Sequence, residues 1–339
     1  MKFKELKKLY FYEIIQNVNA GAGEKRCPMS MKNYTREVKQ VKYRAVVPAT
    51  CANIGVGFDS TGLAVELHNA VEFEAIDSGL IIEAENKTFN VPKDKSNLIY
   101  RSAAACAKHI GKELPGLHMK QIDHIPHTRG LGSSSACIIA GLLIATALLE
   151  EKLSKQELLM IATEIEGHPD NVAPAIYGGV CISVMEGDRL VSHPIPVKDD
   201  ICVAAIVPDF TLSTKKAREV LPKNVSMADA ISNTARCGLL VSALYSGDYS
   251  LIDAALADRL HQPYRKTLIK GYDEVREAAK AAGAYGSCIS GAGPTMLAFF
   301  SNSDPELESK LAQNLKGIPG GWKPKVMNFD RKGAYLETL

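Results

Sequence analysis

The stretch Pro126-His127-Thr128-Arg129-Gly130-Leu131-Gly132-Ser133-Ser134-Ser135-Ala136 constrains this chain more than any other. Before it lies an extended segment of mixed apolar and polar residues, Leu117 to Ile125. After it, Ala136 to Leu149 is apolar apart from Gly141 and Thr146. That order predicts strand, tight loop and buried helix. Gly130 and Gly132 allow a sharp turn and a close approach to a ligand, and Ser133 to Ser135 can cap the helix. Free N–H groups and the positive end of the helix dipole then face the loop, an environment made for an anion, best of all a polyphosphate. The pattern lacks the lysine of GxxxxGK[ST] and the spacing of GxGxxG. Taken alone, it would serve equally as a Ser-rich helix cap with incidental glycines.

The rest of the chain narrows the choice. At 339 residues, 46% hydrophobic and 23% charged, it has the composition of a soluble globular protein of two domains. A net charge of +2 gives no case for nucleic acid, so the expected partner is a small molecule. The eight cysteines show no CxxC or metal spacing, which points to a reducing cytoplasm. The apolar run Ala136 to Leu149 is too short for a membrane span. Residues 1–44 carry a net +7, leaving −5 for the remainder; residues 1–40 are expected to form a basic, flexible extension, with Met29 and Met31 as alternative starts.

From Lys42 a strand leads into the loop PATCANIGVGFD (48–59), where Asn53 and Asp59 either brace the turn or recognise a ligand. Leu63, Val65, Leu67, Asn69, Val71, Phe73 and Ala75 share one face of the next strand. A helix is expected over 96–110, and Ser154-Lys155-Gln156-Glu157 is a capping box opening a helix through Ile165. It delivers Glu164 and Glu166 to the segment EGHPDNVAP (166–174). There a carboxylate, His168, Asp170 and Asn171 arrive together, as phosphoryl transfer requires beside a phosphate cradle. In the C-terminal half a strand at 201–207 precedes a helix starting near Ser213, which puts Thr214 and Arg218 on one face. Helices follow at 226–245, 249–259, 268–282 and 304–315, with strands near 324–329 and 333–337. The glycine-rich turn SGAGPT (290–295) sits between two further strands.

PATCANIGVGFD, PHTRGLGSSSA and SGAGPT, in this order, resemble the three motifs of the GHMP kinases, and EGHPDNVAP with Thr214 to Arg218 is most similar to the homoserine kinases among them. The resemblance covers roughly residues 42–339. It implies an α+β fold with an N-terminal domain like ribosomal protein S5 domain 2 (41–195) and a ferredoxin-like C-terminal domain (196–339). The implied activity is ATP-dependent phosphorylation of the side-chain hydroxyl of L-homoserine, in threonine biosynthesis. Two alternatives remain: another GHMP small-molecule kinase (mevalonate or sugar), or a non-catalytic binding protein of this fold. ATP is expected on Pro126 to Ala136. The acceptor is expected on Asn53, Asp59, His168, Asn171, Thr214, Arg218, Arg265 and Gly291, with Asn171 and Arg218 in catalytic roles. Mg²⁺ is expected on Glu164, with Glu166 as the alternative, while Asp170 is expected to point away from the site. A homodimer is a further expectation. Cys51 departs from the family, which usually has Ser there. An ammonium-bearing acceptor suits Asp59, and its carboxylate suits Arg218 and Arg265.

Overall fold

The fold is that of a computed structural model describing residues 41–85 and 91–339; the basic extension expected at 1–40 lies outside the described residues. Strands β1 (Tyr43–Ala52) and β2 (Thr61–Ile76) form a long antiparallel pair whose register shifts between Pro48 and Ala49. Proline has no N–H to donate, and a bulge is where that loss is tolerated. The far edge of β2 serves two partners. Thr61 to Leu63 pairs with β5 (Val180–Glu186), and Ala70 to Ile76 pairs with β4 (Gly116–Ile122). β3 (Leu80–Ala84) joins β4 in parallel, β6 (Arg189–Ile195) forms a hairpin with β5, and the last strand, β11 (Tyr335–Thr338), returns to pair with β1. These strands make one sheet of seven. The alternation along β2 is observed: Leu63, Val65, Leu67, Asn69, Val71 and Phe73 are buried, whereas Ala75 is half-buried.

Helices α1 (Leu98–Ile110), α2 (Ser133–Leu148), α3 (Lys155–Glu166) and α4 (Pro169–Tyr177) follow in the same half. α2 and α4 pack on β1 and β2, and α1 and α3 pack on α2. α2 is apolar all round because it lies in the middle of this stack. α3 opens with the predicted capping box, both of whose hydrogen bonds are present. α4 was not anticipated, since two prolines lie within its nine residues. Pro169 sits in the first turn, where no N–H is needed. Pro174 leaves the Asp170 carbonyl without its helical donor, and β2 passes so close at Gly62 that a Cβ there would lie 1.7 Å from that oxygen.

The second sheet contains β7 (Ile201–Val207), β8 (Gly286–Ile289), β9 (Met296–Ser301) and β10 (Lys323–Met327), antiparallel in the order β10-β7-β9-β8. That is the fourth, first, third and second strand, the ferredoxin-like order the resemblance implies. The expected C-terminal division, 196–339, is not followed by its last segment, because β11 belongs to the first sheet. Helices α5 (Thr214–Glu219), α6 (Met227–Ser246), α7 (Ile252–Ala255), α8 (Gln262–Arg265), α9 (Tyr272–Ala281) and α10 (Leu307–Asn314) complete this half. β7 is a continuous apolar run because both its faces are buried. Val203 and Ala205 share a core with Leu240 and Leu244 of α6, while Ala204 and Ile206 share another with Val275 and Leu311. The helix expected over 249–259 is cut short: the Asp258 carboxylate accepts from the N–H groups of Leu260, His261 and Gln262 and starts a new turn.

Two glycines separate packing from propensity. Gly62→Ala forces its methyl onto the Asp170 carbonyl and should destabilise the fold by about 2 kcal/mol or more, as overpacking does. Gly238→Ala, in the exposed interior of α6 with nothing within 4 Å, should stabilise by about 0.5–1 kcal/mol. Urea denaturation of both variants checks the opposite signs.

Candidate active site

A cavity of about 760 Å³ runs from the loop before α2 to the start of α5. At one end Pro126 through Ser134 line it in sequence. The N-cap of α2 is Gly132, left-handed at φ 68°, with no side-chain cap. The serines therefore do not cap the helix as the sequence suggested. The amide groups of its first turn are left unsatisfied by side chains at the edge of the cavity, which is the requirement for binding an anion. Ser135 and Ala136 are buried and are not part of the lining.

The two loop glycines are demanded by protein neighbours. A Cβ on Gly130 (φ 79°) would lie 2.4 Å from the Ser290 carbonyl, and one on Gly132 would lie 1.9 Å from the Thr50 hydroxyl. Hydrogen bonds seal the same contacts: Thr50 N–H donates to the Leu131 carbonyl (3.2 Å) and Ser290 Oγ donates to the Gly130 carbonyl (2.6 Å). Arg129 reaches the Phe210 carbonyl. Cys51, behind this junction, is fully buried, and burial pushes its thiol up to about 12.

At the other end the first and third motifs meet. Asn53, left-handed at φ 69°, donates from Nδ2 to the Gly291 carbonyl (2.6 Å) and accepts the Asp59 N–H on Oδ1 (2.9 Å). Its amide thus fixes the turn while its residue lines the cavity. Asp59 and Arg218 form a bidentate pair at 2.8 and 3.0 Å, and this bond raises the guanidinium's already high pKa. Arg218 and Thr214 share a face of α5, whose N-cap, Ser213, accepts from Lys216 N–H. Arg265 is 1% exposed and donates to the carbonyls of Ala217 and Gly291 (3.1 and 3.0 Å) and to His261 Nδ1 (3.3 Å). Burial, then neighbouring Arg218, lowers its pKa to about 10. Its Nη2 has no hydrogen-bond partner among the described residues, and the residue lines the cavity.

His168 is the N-cap position of α4, and its Nδ1 lies 2.5 Å from Asp170 Oδ1; this bond raises the imidazole pKa against the opposing effect of burial. Asp170 was expected to point away, yet it lines the cavity, because position N2 of α4 turns its carboxylate back to its own N-cap. Asn171 accepts from Thr50 Oγ1 (2.9 Å), which leaves its Nδ2 as the free end.

The preferred carboxylate needs correction. Glu164 is exposed and absent from the lining, whereas Glu166 lines the cavity and accepts from the hydroxyls of Ser134 (3.1 Å) and Ser135 (3.0 Å). Two residues along a helix turn a side chain by about 200°, so the two glutamates face opposite ways. Sequence reasoning also missed Val91, Pro92, Ser96, Asn97, Leu98 and Gln121, which line the cavity beyond the loop. Asn97 caps α1 through Ile99 N–H (2.9 Å), and a helix start is all that its sequence context signals.

Comparison with known proteins agrees with this geometry. The family model described as the GHMP kinases N terminal domain matches residues 97–179, and that of the GHMP kinases C terminal matches 240–317. A homoserine kinase of Clostridium botulinum strain Alaska E43 is 43% identical over 294 residues, 86% of this chain and 97% of that protein. One from Desulfitobacterium hafniense is 42% identical over 292 residues, 86% and 98% of the two chains. The crystal structure of homoserine kinase from Cytophaga hutchinsonii superposes with a TM-score of 0.79 at 30% identity, covering 92% of this chain and all of that one. With its three glycine-rich motifs joined around one cavity, this chain belongs to the homoserine kinase family of the GHMP kinases.

Proposed function

We infer that the chain transfers the γ-phosphoryl group of ATP to the side-chain hydroxyl of L-homoserine, giving O-phospho-L-homoserine and ADP. The observation that carries this reading is the Asp59–Arg218 pair beside Arg265 in the same cavity as the uncapped start of α2. An amino-acid acceptor brings one ammonium and one carboxylate, and these can exchange with the protein's own pair: ammonium to Asp59, carboxylate to Arg218 and Arg265 Nη2. Mevalonate has no ammonium and would leave Asp59 facing a like charge. The cavity beyond the loop, with apolar Val91, Pro92 and Leu98 beside polar Asn97 and Gln121, suits a nucleobase.

The acceptor oxygen attacks the γ-phosphorus as the bond to the β–γ bridging oxygen breaks and ADP leaves, and the hydroxyl proton passes late to an oxygen of the transferred phosphoryl group. The chain's part is alignment and charge stabilisation. Amides of the first turn of α2 face the phosphates, and Asn171 Nδ2 donates toward the reacting oxygens while Thr50 holds its Oδ1. Among the described residues no group of three or more His, Cys, Asp and Glu could hold an ion by itself. Glu166, braced by Ser134 and Ser135, instead fits the single-carboxylate share that Mg²⁺ takes when phosphates supply other ligands. When bound there, the ion would neutralise charge on the phosphate oxygens. Cytoplasmic placement agrees with the free state of all seven described cysteines.

ADP release with L-homoserine, L-threonine, mevalonate, galactose and shikimate side by side tests the acceptor; preferential turnover of mevalonate or a sugar would sink this reading. Arg218→Leu should weaken homoserine binding by about 2–3 kcal/mol, the value of a charged hydrogen bond, and leave ATP affinity unchanged in calorimetry. Glu166→Gln should raise the Mg²⁺ requirement and lower turnover, whereas Glu164→Gln should do neither; the opposite ranking returns the metal to Glu164. His168→Gln and Asp170→Asn should each retain the acidic limb of the kcat–pH profile, because no base is used. A loss of ~10³-fold together with that limb would make the residue a general base. The raised His168 pKa also has a stability sign. Its contribution is full below the unfolded value near ~6.5 and is lost as pH rises through the folded value. The stability gap between wild type and Asp170→Asn should therefore narrow from pH 6 to pH 9 in denaturant titrations.

A further inference from the structure

Phe58 has an unusual set of neighbours. It is half-buried, belongs to none of the hydrophobic core clusters and does not line the cavity. Its ring centroid instead lies 5.7 Å from the guanidinium carbon of Arg218 and 5.0 Å from that of Arg265. The imidazole of His261 stacks on it at 5.1 Å and 22°. Two like-charged groups share one ring, and only Arg218 also has a carboxylate partner in the protein.

We propose that Phe58, steadied by His261, is a positioning residue for acceptor recognition: its π face holds the guanidinium groups of Arg218 and Arg265 where an acceptor carboxylate can meet both. The inference rests on the acceptor assignment made above. When the acceptor's ammonium takes Asp59, Arg218 loses its protein carboxylate. The ring is then the group that keeps this half-exposed side chain over the cavity, since a cation within about 6 Å of an aromatic face is attracted by its quadrupole. His261 supports the arrangement from the fully buried side. Its Nε2 lies 2.6 Å from the Gly55 carbonyl, which can only accept, so Nε2 carries the proton and Nδ1 is left to accept from Arg265 Nη1. An imidazolium would turn that acceptor into a donor aimed at a cation. Burial opposes the charge, and so does Arg265, while Asp258 at 3.7 Å opposes this only in part.

The test compares L-homoserine with L-homoserine amide, which keeps the hydroxyl and the ammonium and lacks the carboxylate. Phe58→Leu and Phe58→Met remove the π face and keep an apolar side chain, so either one that folds, by circular dichroism and an unchanged ATP affinity, suffices. Each should raise KM for L-homoserine roughly tenfold, the order expected of a lost cation–π contact, with kcat within about threefold. The preference for homoserine over its amide should fall by a similar factor. Phe58→Tyr, which keeps the ring, should restore both. Loss of activity on acid and amide alike, an unchanged homoserine KM, or failure of Tyr to restore it would overturn the inference. Arg218→Leu, run in parallel, separates the two levels. If it leaves the preference for the acid intact, the acceptor assignment fails and the inference with it. If it abolishes that preference and the Phe58 variants do not, the inference alone fails.

Discussion

The site depends on two places where neighbouring protein atoms meet glycine too closely for any side chain. Gly130 lies against the Ser290 carbonyl and Gly132 against the Thr50 hydroxyl, with ideal Cβ positions 2.4 and 1.9 Å from those atoms. Thr50 belongs to β1 of the larger sheet, and Ser290 follows β8 of the smaller one. The cavity-lining loop 126–134 is thus gripped by both sheets, and the N-terminal amides of α2 are aimed by contacts that a single methyl group would displace. The other end of the cavity is tied to the same junction, because the Gly291 carbonyl accepts from Asn53 Nδ2 and from Arg265 Nη1. One oxygen atom sets the distance between the first motif and the buried arginine.

The charges divide into those that can move and those that cannot. The side chains of Arg218 and Asp59 are 41% and 36% exposed, and a pair this open contributes only about 0–1 kcal/mol. An acceptor of the kind proposed, satisfying both partners, would displace it at little cost. Arg265 is different: it is buried and fixed by three hydrogen bonds, and leaving such a cation unpaired costs several kcal/mol per ion. A fixed cation beside a removable cation–anion pair is the arrangement that the proposed zwitterionic acceptor would need, in preference to an acid or an amine alone.

Much of this was legible in the sequence where the signal was local. The capping box at Ser154, the alternation in β2 and the glycine-rich turns each have their own chemistry and are found where the sequence puts them. Signals failed where a distant neighbour decides. The helix at Pro169–Tyr177 forms despite Pro174 because β2 is packed beneath it. β11 leaves the C-terminal sheet because the exposed edge of β1 needs a partner. Glu164 and Glu166 could not be ranked from spacing, since the choice turns on which way α3 faces the serines of α2. The sharp turn expected at Gly130 and Gly132 is observed, with both residues at positive φ, and the sequence could not show that Ser290 and Thr50 lie where their side chains would be.

The orientation of one amide bears on the chemistry. Thr50 Oγ1 donates to Asn171 Oδ1 at 2.9 Å, and the same hydroxyl fills the space beside Gly132. Thr50 therefore sets both the helix amides and the Asn171 side chain, whose free end is Nδ2. An amide nitrogen has no proton-accepting lone pair of useful basicity, so what it presents to a reacting oxygen is a hydrogen-bond donor. A donor stabilises negative charge that builds up on oxygen, as the α2 amides would for a bound phosphate, and it does nothing to remove a proton early. A loose phosphoryl-transfer transition state places most of its charge on the phosphoryl and leaving oxygens and asks little of the nucleophile's proton. An active site built from donors, with its titratable pair His168–Asp170 bonded to itself, fits that distribution of charge better than one built around a base.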